Sequence, residues 1–381
     1  MRASSPEAVR PSFWATPEPD RPPLWATPHA DAADRAACRN AIRAGSRSFF
    51  AASALLPAHV RRPAYGLYAF CRLSDDAVDD VAPVARTAAA ARLSARLTRA
   101  YDGRPADAPA DRALADLVVA HAIPQALPMA LIEGLAWDGE GRRYATLSDL
   151  TAYAARVAAS VGVMMTLIMG SRDPAVLARA CDLGIAMQFT NIARDVGEDA
   201  RAGRLYLPVD WLREAGIEPE AFLTDPHPSP ALAGVVARLL AAADLLYIRS
   251  EAGLSGLPRA CRPAIRAARL IYAEIGRELE RQDLDPVTTR ARVDGRRKAA
   301  LLARATLTPT FAPAQDRHAP PLAEVAFLVA AVAAQPVPAG PAWWDVPGQM
   351  ARVLDLVETL RERETFAGSA FAPEGSSHAV P

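Results

Sequence analysis

Two segments of this chain run an apolar helical stripe straight into carboxylates, and no other feature constrains the fold as much. In Tyr65-Gly-Leu-Tyr-Ala-Phe-Cys-Arg-Leu-Ser-Asp-Asp-Ala-Val-Asp-Asp80, the residues Tyr68, Arg72, Asp75 and Asp79 recur at helical period on one face, with Asp76 and Asp80 paired beside them. In Met187-Gln-Phe-Thr-Asn-Ile-Ala-Arg-Asp-Val-Gly-Glu-Asp199, four-residue steps extend the apolar face of Val176, Ala180, Leu183 and Met187 to Asn191, Asp195 and Asp199. Like charges at this spacing destabilise a helix by about 0.2–0.5 kcal/mol a pair, and Asp is a poor residue in a helix interior. A solvated acidic face near a helix end, here before Pro83, is the ordinary explanation for an acid cluster. It does not account for carboxylates that continue a stripe carrying Tyr68 and Cys71, or for three oxygen-bearing side chains after Met187. Two such helices facing each other across a cavity would.

The surrounding sequence agrees with an all-α fold. Residues 31–307 are dominated by Ala, Leu and Arg, which are good helix formers, and period-2 alternation is rare. Pro63, Pro174, Pro230 and Pro258 mark expected helix starts, and Pro57, Pro83 and Pro208 mark ends or breaks, giving about ten helices. Residues 1–30 hold seven prolines and read as a disordered arm containing the repeats Trp14-Ala-Thr-Pro17 and Trp25-Ala-Thr-Pro28. Residues 308–381 read as a proline-rich tail with one helical segment near Val346–Glu364. One catalytic domain, 31–307, is therefore expected between two flanks.

Composition narrows the functional class. Lys+Arg and Asp+Glu balance at 43 each, so no basic field argues for nucleic acid. The six histidines are scattered, and HExxH, GxGxxG and P-loop patterns are absent. The four cysteines, Cys38, Cys71, Cys181 and Cys261, lie far apart, and nothing at the N-terminus reads as a secretory signal, so free thiols and a cytoplasmic location are expected. The longest uncharged apolar run, Val325–Ala334, is far shorter than the ~20 residues that span a bilayer.

Each acidic stripe offers hard oxygen ligands at ~6 Å intervals along a helix. Mg2+ suits them, because it keeps waters and binds one or two carboxylates together with substrate phosphates. Arg72 and Arg194 stand in the same segments and can take phosphate oxygens bidentately. The chemistry implied is ionisation of an allylic diphosphate, with cations and arginines stabilising the leaving group. An apolar cavity behind would hold the hydrocarbon tail.

Tyr68-Ala-Phe-Cys-Arg-Leu-Ser-Asp-Asp-Ala-Val-Asp79, together with Gln188-Phe-Thr-Asn-Ile-Ala-Arg-Asp-Val-Gly-Glu-Asp199 and Gly203-Arg-Leu-Tyr-Leu-Pro208, resembles the two signatures of the squalene/phytoene synthase family. The resemblance spans about residues 35–305 and is closest to the bacterial, phytoene-forming members. Ser46-Arg47-Ser48 matches a diphosphate-binding Ser-Lys-Ser element, with arginine keeping the charge, and Phe189 stands where leucine is usual. Tyr153 and Tyr272 match active-site tyrosines that could stabilise passing cations, and Arg290 matches a phosphate contact. As core aromatics or a surface arginine, these three would have no such role. Gln188, within the second signature, belongs to the implied substrate-binding set with Ser46, Arg47, Ser48, Arg72, Asn191, Arg194 and Arg290. Asp75, Asp79, Asn191, Asp195 and Asp199 form the implied metal set, and those four aspartates with Tyr153 and Tyr272 the implied catalytic set.

The resemblance implies an isoprenoid synthase helical bundle around a single central cavity. It also implies head-to-head condensation of two prenyl diphosphates: a C1 cation alkylates the 2,3 double bond of the second substrate, and proton loss closes a cyclopropane. Ionisation and rearrangement of the cyclopropylcarbinyl diphosphate then yield the triene. Two geranylgeranyl diphosphates, with Mg2+ or Mn2+ and no NADPH, would give phytoene. A C30 synthase acting on farnesyl diphosphate is the alternative, followed by a class I terpene cyclase and a non-catalytic helical interaction protein. Peripheral contact with the inner face of a membrane, and transfer to and from neighbouring carotenoid enzymes, are the expected partnerships.

Overall fold

Helix boundaries in the computed structural model follow local chemistry closely, and the structure describes residues 28–79, 86–307 and 317–335. Helix α1 (Ala32–Gly45) opens on a reciprocal cap between Asp31 and Asp34, and α2 (Arg47–Ser53) on Ser46, whose hydroxyl accepts the Phe49 amide. Helix α3 (Ala58–Asp79) carries the first acidic stripe. It is followed by α4 (Arg86–Tyr101), α5 (Pro109–Ala120), α6 (Ala126–Gly139) and α7 (Leu147–Ala154). A π turn, Ala155–Ala159, leads into α8 (Ser160–Ile168), and α9 (Pro174–Arg201) carries the second stripe. The rest of the bundle is α10 (Val209–Glu214), α11 (Pro219–Thr224), α12 (Pro230–Leu254), α13 (Arg262–Arg281), α14 (Gly295–Leu307) and α15 (Ala326–Ala333). No strand occurs among the described residues.

Several prolines sit differently from the sequence expectation. Pro174 and Pro230 do occupy first turns, where their missing N–H is harmless. Pro63, however, lies inside α3, which already starts at Ala58. The carbonyl of His59 that loses its donor belongs to an exposed residue, so water can replace the bond. Helix α13 starts at Arg262, with Pro263 rather than Pro258 in its first turn, and Pro208 caps α10 instead of closing a helix. Asp80, Pro83, the Trp14 and Trp25 repeats and the 346–364 segment lie outside the described residues.

The compact unit runs Pro28–Pro338, past the boundary expected at residue 307. Its added segment reads as a proline-rich tail, yet Val325, Leu328 and Val332 form an apolar stripe that is buried on the bundle. Glu324 of that segment accepts a hydrogen bond from Ser148 at 2.6 Å. Counted as helices rather than as uncharged runs, Leu147–Ile168 and Pro230–Leu254 are long and apolar enough to cross a membrane by length and composition. Both stretches place residues in the wall of one internal cavity, while Leu245 and Ile248 of the second are exposed. All four cysteines are free.

Candidate active site

The cavity has a volume of about 340 Å3 and runs between α3, α8, α9, α12 and α13. Helix α9 lines it with Val176, Ala180, Leu183, Met187 and Asn191, the stripe expected from the sequence, and with Gly184 beside them. Close packing of α9 against the opposite wall depends on glycine. A Cβ on Gly184 would lie 2.8 Å from the Ala158 carbonyl oxygen in the π turn, and one on Gly162 would lie 2.8 Å from the Ala180 oxygen. The wall is chiefly Leu, Met, Val, Ala and Gly, a surface for hydrocarbon.

The cavity turns polar at one end. Tyr68 and Cys71 on α3 and Gln188 and Asn191 on α9 are its lining residues there, and one helical turn further along each helix stand Asp75 and Asp195. The arginines of the two signatures are already engaged with these acids. Arg72 is bidentate to Asp76, through Nε at 3.1 Å and Nη2 at 2.5 Å, and reaches Asp75 at 3.4 Å. Arg194 donates to both oxygens of Asp195, with Nε at 2.7 Å from Oδ1. Arg290 joins the same carboxylate, Nε to Oδ1 at 2.9 Å and Nη2 to Oδ2 at 3.2 Å, and reaches Glu198 at 3.1 Å. Arg290 arrives because Gly197 has no side chain: a Cβ there would lie 2.6 Å from Val287 Cα, and the Gly197 amide donates to the Pro286 oxygen at 3.2 Å.

Ser46 caps α2 and lies within hydrogen-bonding reach of Tyr272, whose ring stacks on Phe49 at 5.0 Å. Tyr68 fills the space above Gly45, where a Cβ would meet its hydroxyl oxygen at 2.3 Å. Ser48 is half-buried and Arg47 is exposed on the same short helix. Neither Tyr153 nor Tyr272 is among the lining residues; Tyr272 stands behind Phe49, which is. Tyr153 instead donates to Asp138 Oδ2 at 2.8 Å, and Tyr206 donates to Asp138 Oδ1 at 2.8 Å. The Tyr153 and Tyr206 rings lie 5.2 Å apart, and Tyr144 packs 5.1 Å from Tyr153. Burial, then the negative charge of Asp195, pushes the Asp199 carboxyl up to about 7, with Asp138 and Glu198 adding to the effect and Arg204 opposing it.

The sequence profile of squalene/phytoene synthases matches residues 42–298. This chain belongs to the squalene/phytoene synthase family. A phytoene synthase from Rhodobacter capsulatus is 54% identical over 306 residues, covering 79% of this chain and 90% of that protein. A 15-cis-phytoene synthase from a Paracoccus species is 47% identical over 247 residues, 62% of this chain and 79% of that one. Among solved structures, a dehydrosqualene synthase in complex with ligand superposes with a TM-score of 0.65 at 30% identity, covering 72% of this chain and 95% of the other. The squalene synthase HpnC from Alicyclobacillus acidocaldarius gives a TM-score of 0.61 at 27% identity, over 67% and 95%. The all-α bundle around one cavity is thus the isoprenoid synthase fold expected from the sequence.

The residues present suit divalent cations as a donor set, all of it hard oxygen. Among the described residues no three His, Cys, Asp or Glu side chains are gathered into a ready-made cage. Mg2+ does not require one, since it takes few carboxylates and completes its shell with water and phosphate. Asp199, raised first by burial and then by the charge of Asp195, is a carboxyl that a nearby cation would favour in its ionised form. Sequence reasoning passed over Asp138, Tyr144 and Tyr206 as site residues. Tyr206 lies within Gly203-Arg-Leu-Tyr-Leu-Pro208, a signal that was available; Asp138 ends α6 with no periodic pattern to mark it.

Proposed function

We propose that this enzyme condenses two geranylgeranyl diphosphates head to head, through a cyclopropylcarbinyl diphosphate, to 15-cis-phytoene and diphosphate. The observation that carries this reading is the cavity, which is polar at one end and, Arg179 apart, apolar along the rest of α9. From Asn191 to Val176 the helix advances ~22 Å at 1.5 Å per residue. An extended polyisoprenoid gains about 1.2 Å per backbone bond, so a geranylgeranyl tail needs ~19 Å and a farnesyl tail ~14 Å. The longer tail uses the length of this wall; the shorter would leave its last third empty. The 54% identity to a phytoene synthase supports the same choice, and the dehydrosqualene synthase neighbour keeps the C30 reaction as the second reading.

In this proposal Asp75, Asp79, Asn191, Asp195 and Asp199 hold Mg2+ or Mn2+, which when bound supplies positive charge to the diphosphate oxygens. Arg72, Arg194 and Arg290 leave their carboxylate partners for the diphosphate, and Ser46, Arg47, Ser48 and Gln188 complete its binding. As the C1–O bond breaks, these donors stabilise the departing charge. Phe49, with Tyr272 stacked behind it, presents the aromatic face that lines the cavity, and Tyr153, held by Asp138, acts from outside that lining. The cascade ends by proton loss, so no NADPH is consumed. Cytoplasmic location, with peripheral contact at a membrane, fits an insoluble C40 product passed on to later carotenoid enzymes. The test supplies both diphosphates with Mg2+ or Mn2+, with and without NADPH. Phytoene from geranylgeranyl diphosphate, independent of NADPH, is expected; a C30 product with geranylgeranyl diphosphate unconsumed would replace this reading by the second.

A further inference from the structure

Asp138 stands in the last turn of α6, where local chemistry disfavours a carboxylate twice. The C-terminal end of a helix carries partial negative charge, which suits cations rather than acids. The charge of Asp138 also reaches Asp199 and adds to the repulsion that raises its carboxyl. Two charge-assisted hydrogen bonds offset this. The Tyr153 hydroxyl donates to Oδ2 and the Tyr206 hydroxyl to Oδ1, each at 2.8 Å. The two rings stack at 5.2 Å, and Tyr144 completes the cluster, 5.1 Å from Tyr153 and 6.2 Å from Tyr206.

What the two phenols are attached to gives this carboxylate its use. Tyr153 lies in the last turn of α7, just before the π turn Ala155–Ala159. Val157 and Ala158 of that turn line the cavity. Gly134, one turn before Asp138 on the same face of α6, lets the turn come close: a Cβ there would lie 2.6 Å from Val157 Cγ1. Tyr206 lies in the loop after α9. In that loop the Arg204 amide donates to the Asp199 carbonyl at 2.8 Å, and the Arg204 charge favours the ionised Asp199 carboxylate. One carboxylate thus joins the turn that walls the tail to the loop beside the second acidic stripe. The alignment of those two parts decides whether a bound substrate is held ready to react, and a misplacement of about 1 Å can cost on the order of 10²-fold in rate.

We infer that Asp138 is a positioning residue: by holding the Tyr153 and Tyr206 hydroxyls, it fixes the π-turn wall of the cavity against the Asp199 end of the site. The inference rests on the proposed condensation and adds what keeps tail and diphosphate aligned. The experiment measures kcat, KM and melting temperature, with geranylgeranyl diphosphate and Mg2+. Asp138→Ala should lower kcat at least tenfold, with KM kept within about twofold. Asp138→Asn, whose amide can still accept from one phenol and donate to the other, should recover most of that loss. In a Tyr153→Phe/Tyr206→Phe background, Asp138→Ala should lower kcat by less than about twofold more, because the hydroxyls it acts through are gone. An unchanged kcat in folded Asp138→Ala would overturn the inference, since a purely structural Asp138 moves the melting temperature and not kcat. So would an Asn variant as poor as the Ala one, which would make charge rather than placement the cause, or a full further loss in the Phe background. Should Asp138→Ala fail to fold, Tyr206→Phe keeps the ring, removes one of the two bonds and should lower kcat at least about threefold at unchanged KM. A silent Tyr206→Phe would also overturn the inference. Failure of the unaltered protein to consume geranylgeranyl diphosphate would instead remove the condensation itself, and this role of Asp138 with it.

Discussion

Two regions of the cavity wall use the same pair of residues in opposite surroundings. At the polar end, Arg72 and Asp75 are about half exposed, at 51% and 44%, and Arg194 and Asp195 are each 17% exposed. In the apolar part of the wall, Arg179 and its partner Asp182 are both at 0%. An exposed pair such as Arg72–Asp75 contributes about 0–1 kcal/mol, so its members can exchange partners for a ligand at little cost; Arg194–Asp195 lies between the two extremes. A fully buried pair loses ~3–5 kcal/mol when one partner is removed, because the other is left charged without water. Arginine–aspartate contacts thus do not report a single role. Water access decides whether the pair is a latch or a rivet.

The largest effect should appear where the pairs are exchangeable. Asp75→Ala or Asp195→Ala should lower turnover on the order of 10²–10³-fold, comparable to loss of a key charge-stabilising group, with the melting temperature almost unchanged. Near-normal turnover in either would remove the polar end from the mechanism. At the buried pair the balance reverses. Asp182→Ala should lose ~3–5 kcal/mol of stability, measured by denaturant unfolding, and a silent result would show that water reaches the pair. A smaller effect distinguishes charge from geometry: Arg194→Lys keeps the cation but loses the bidentate fork, and should reduce kcat/KM about tenfold.

The smallest effect is in pH dependence and belongs to the polar end alone. With its carboxyl raised to about 7, folded Asp199 holds its proton more tightly than the unfolded chain does. Its contribution to stability is therefore fully present below the unfolded value near 4 and is lost as pH rises through 7. Asp199→Asn should remove that loss, so its melting temperature in the absence of metal should exceed that of the unaltered protein more at pH 8 than at pH 5. The difference should be ~1–2 °C for each kcal/mol recovered in a unit of this size. A difference that does not grow with pH would place the proton elsewhere.

Legibility from the sequence followed the same division. The stripes through Asp75 and Asp195 were readable because a period of 3.6 carries chemistry as plainly as it carries apolar residues. Arg290 could be reached only through family resemblance, since its approach depends on the bare backbone of Gly197 meeting residues 286 and 287. Asp138 left no periodic trace, and its meeting with Tyr153 and Tyr206 is a tertiary event among α6, α7 and the loop before α10. Arg179 and Asp182 drew no reading from the sequence, because their burial depends on the distant segment at 319–320, whose carbonyls accept from Arg179. Pro63 misled because a proline in the sixth position of a helix reads more naturally as its first turn.

The central claim is that the polar end opens its arginine–aspartate pairs to a metal-bound diphosphate while the buried Arg179–Asp182 pair stays as it is. The most direct measurement is a crystal structure of the protein with Mg2+ and an unreactive thio-analogue of geranylgeranyl diphosphate. The account predicts diphosphate oxygens on Arg72, Arg194 and Arg290, the cations on the Asp75–Asp79 and Asn191–Asp195–Asp199 stripes, and the tail along the α9 wall with the Arg179–Asp182 pair undisturbed. A diphosphate bound elsewhere while Arg194 and Arg290 remain on Asp195 would contradict it.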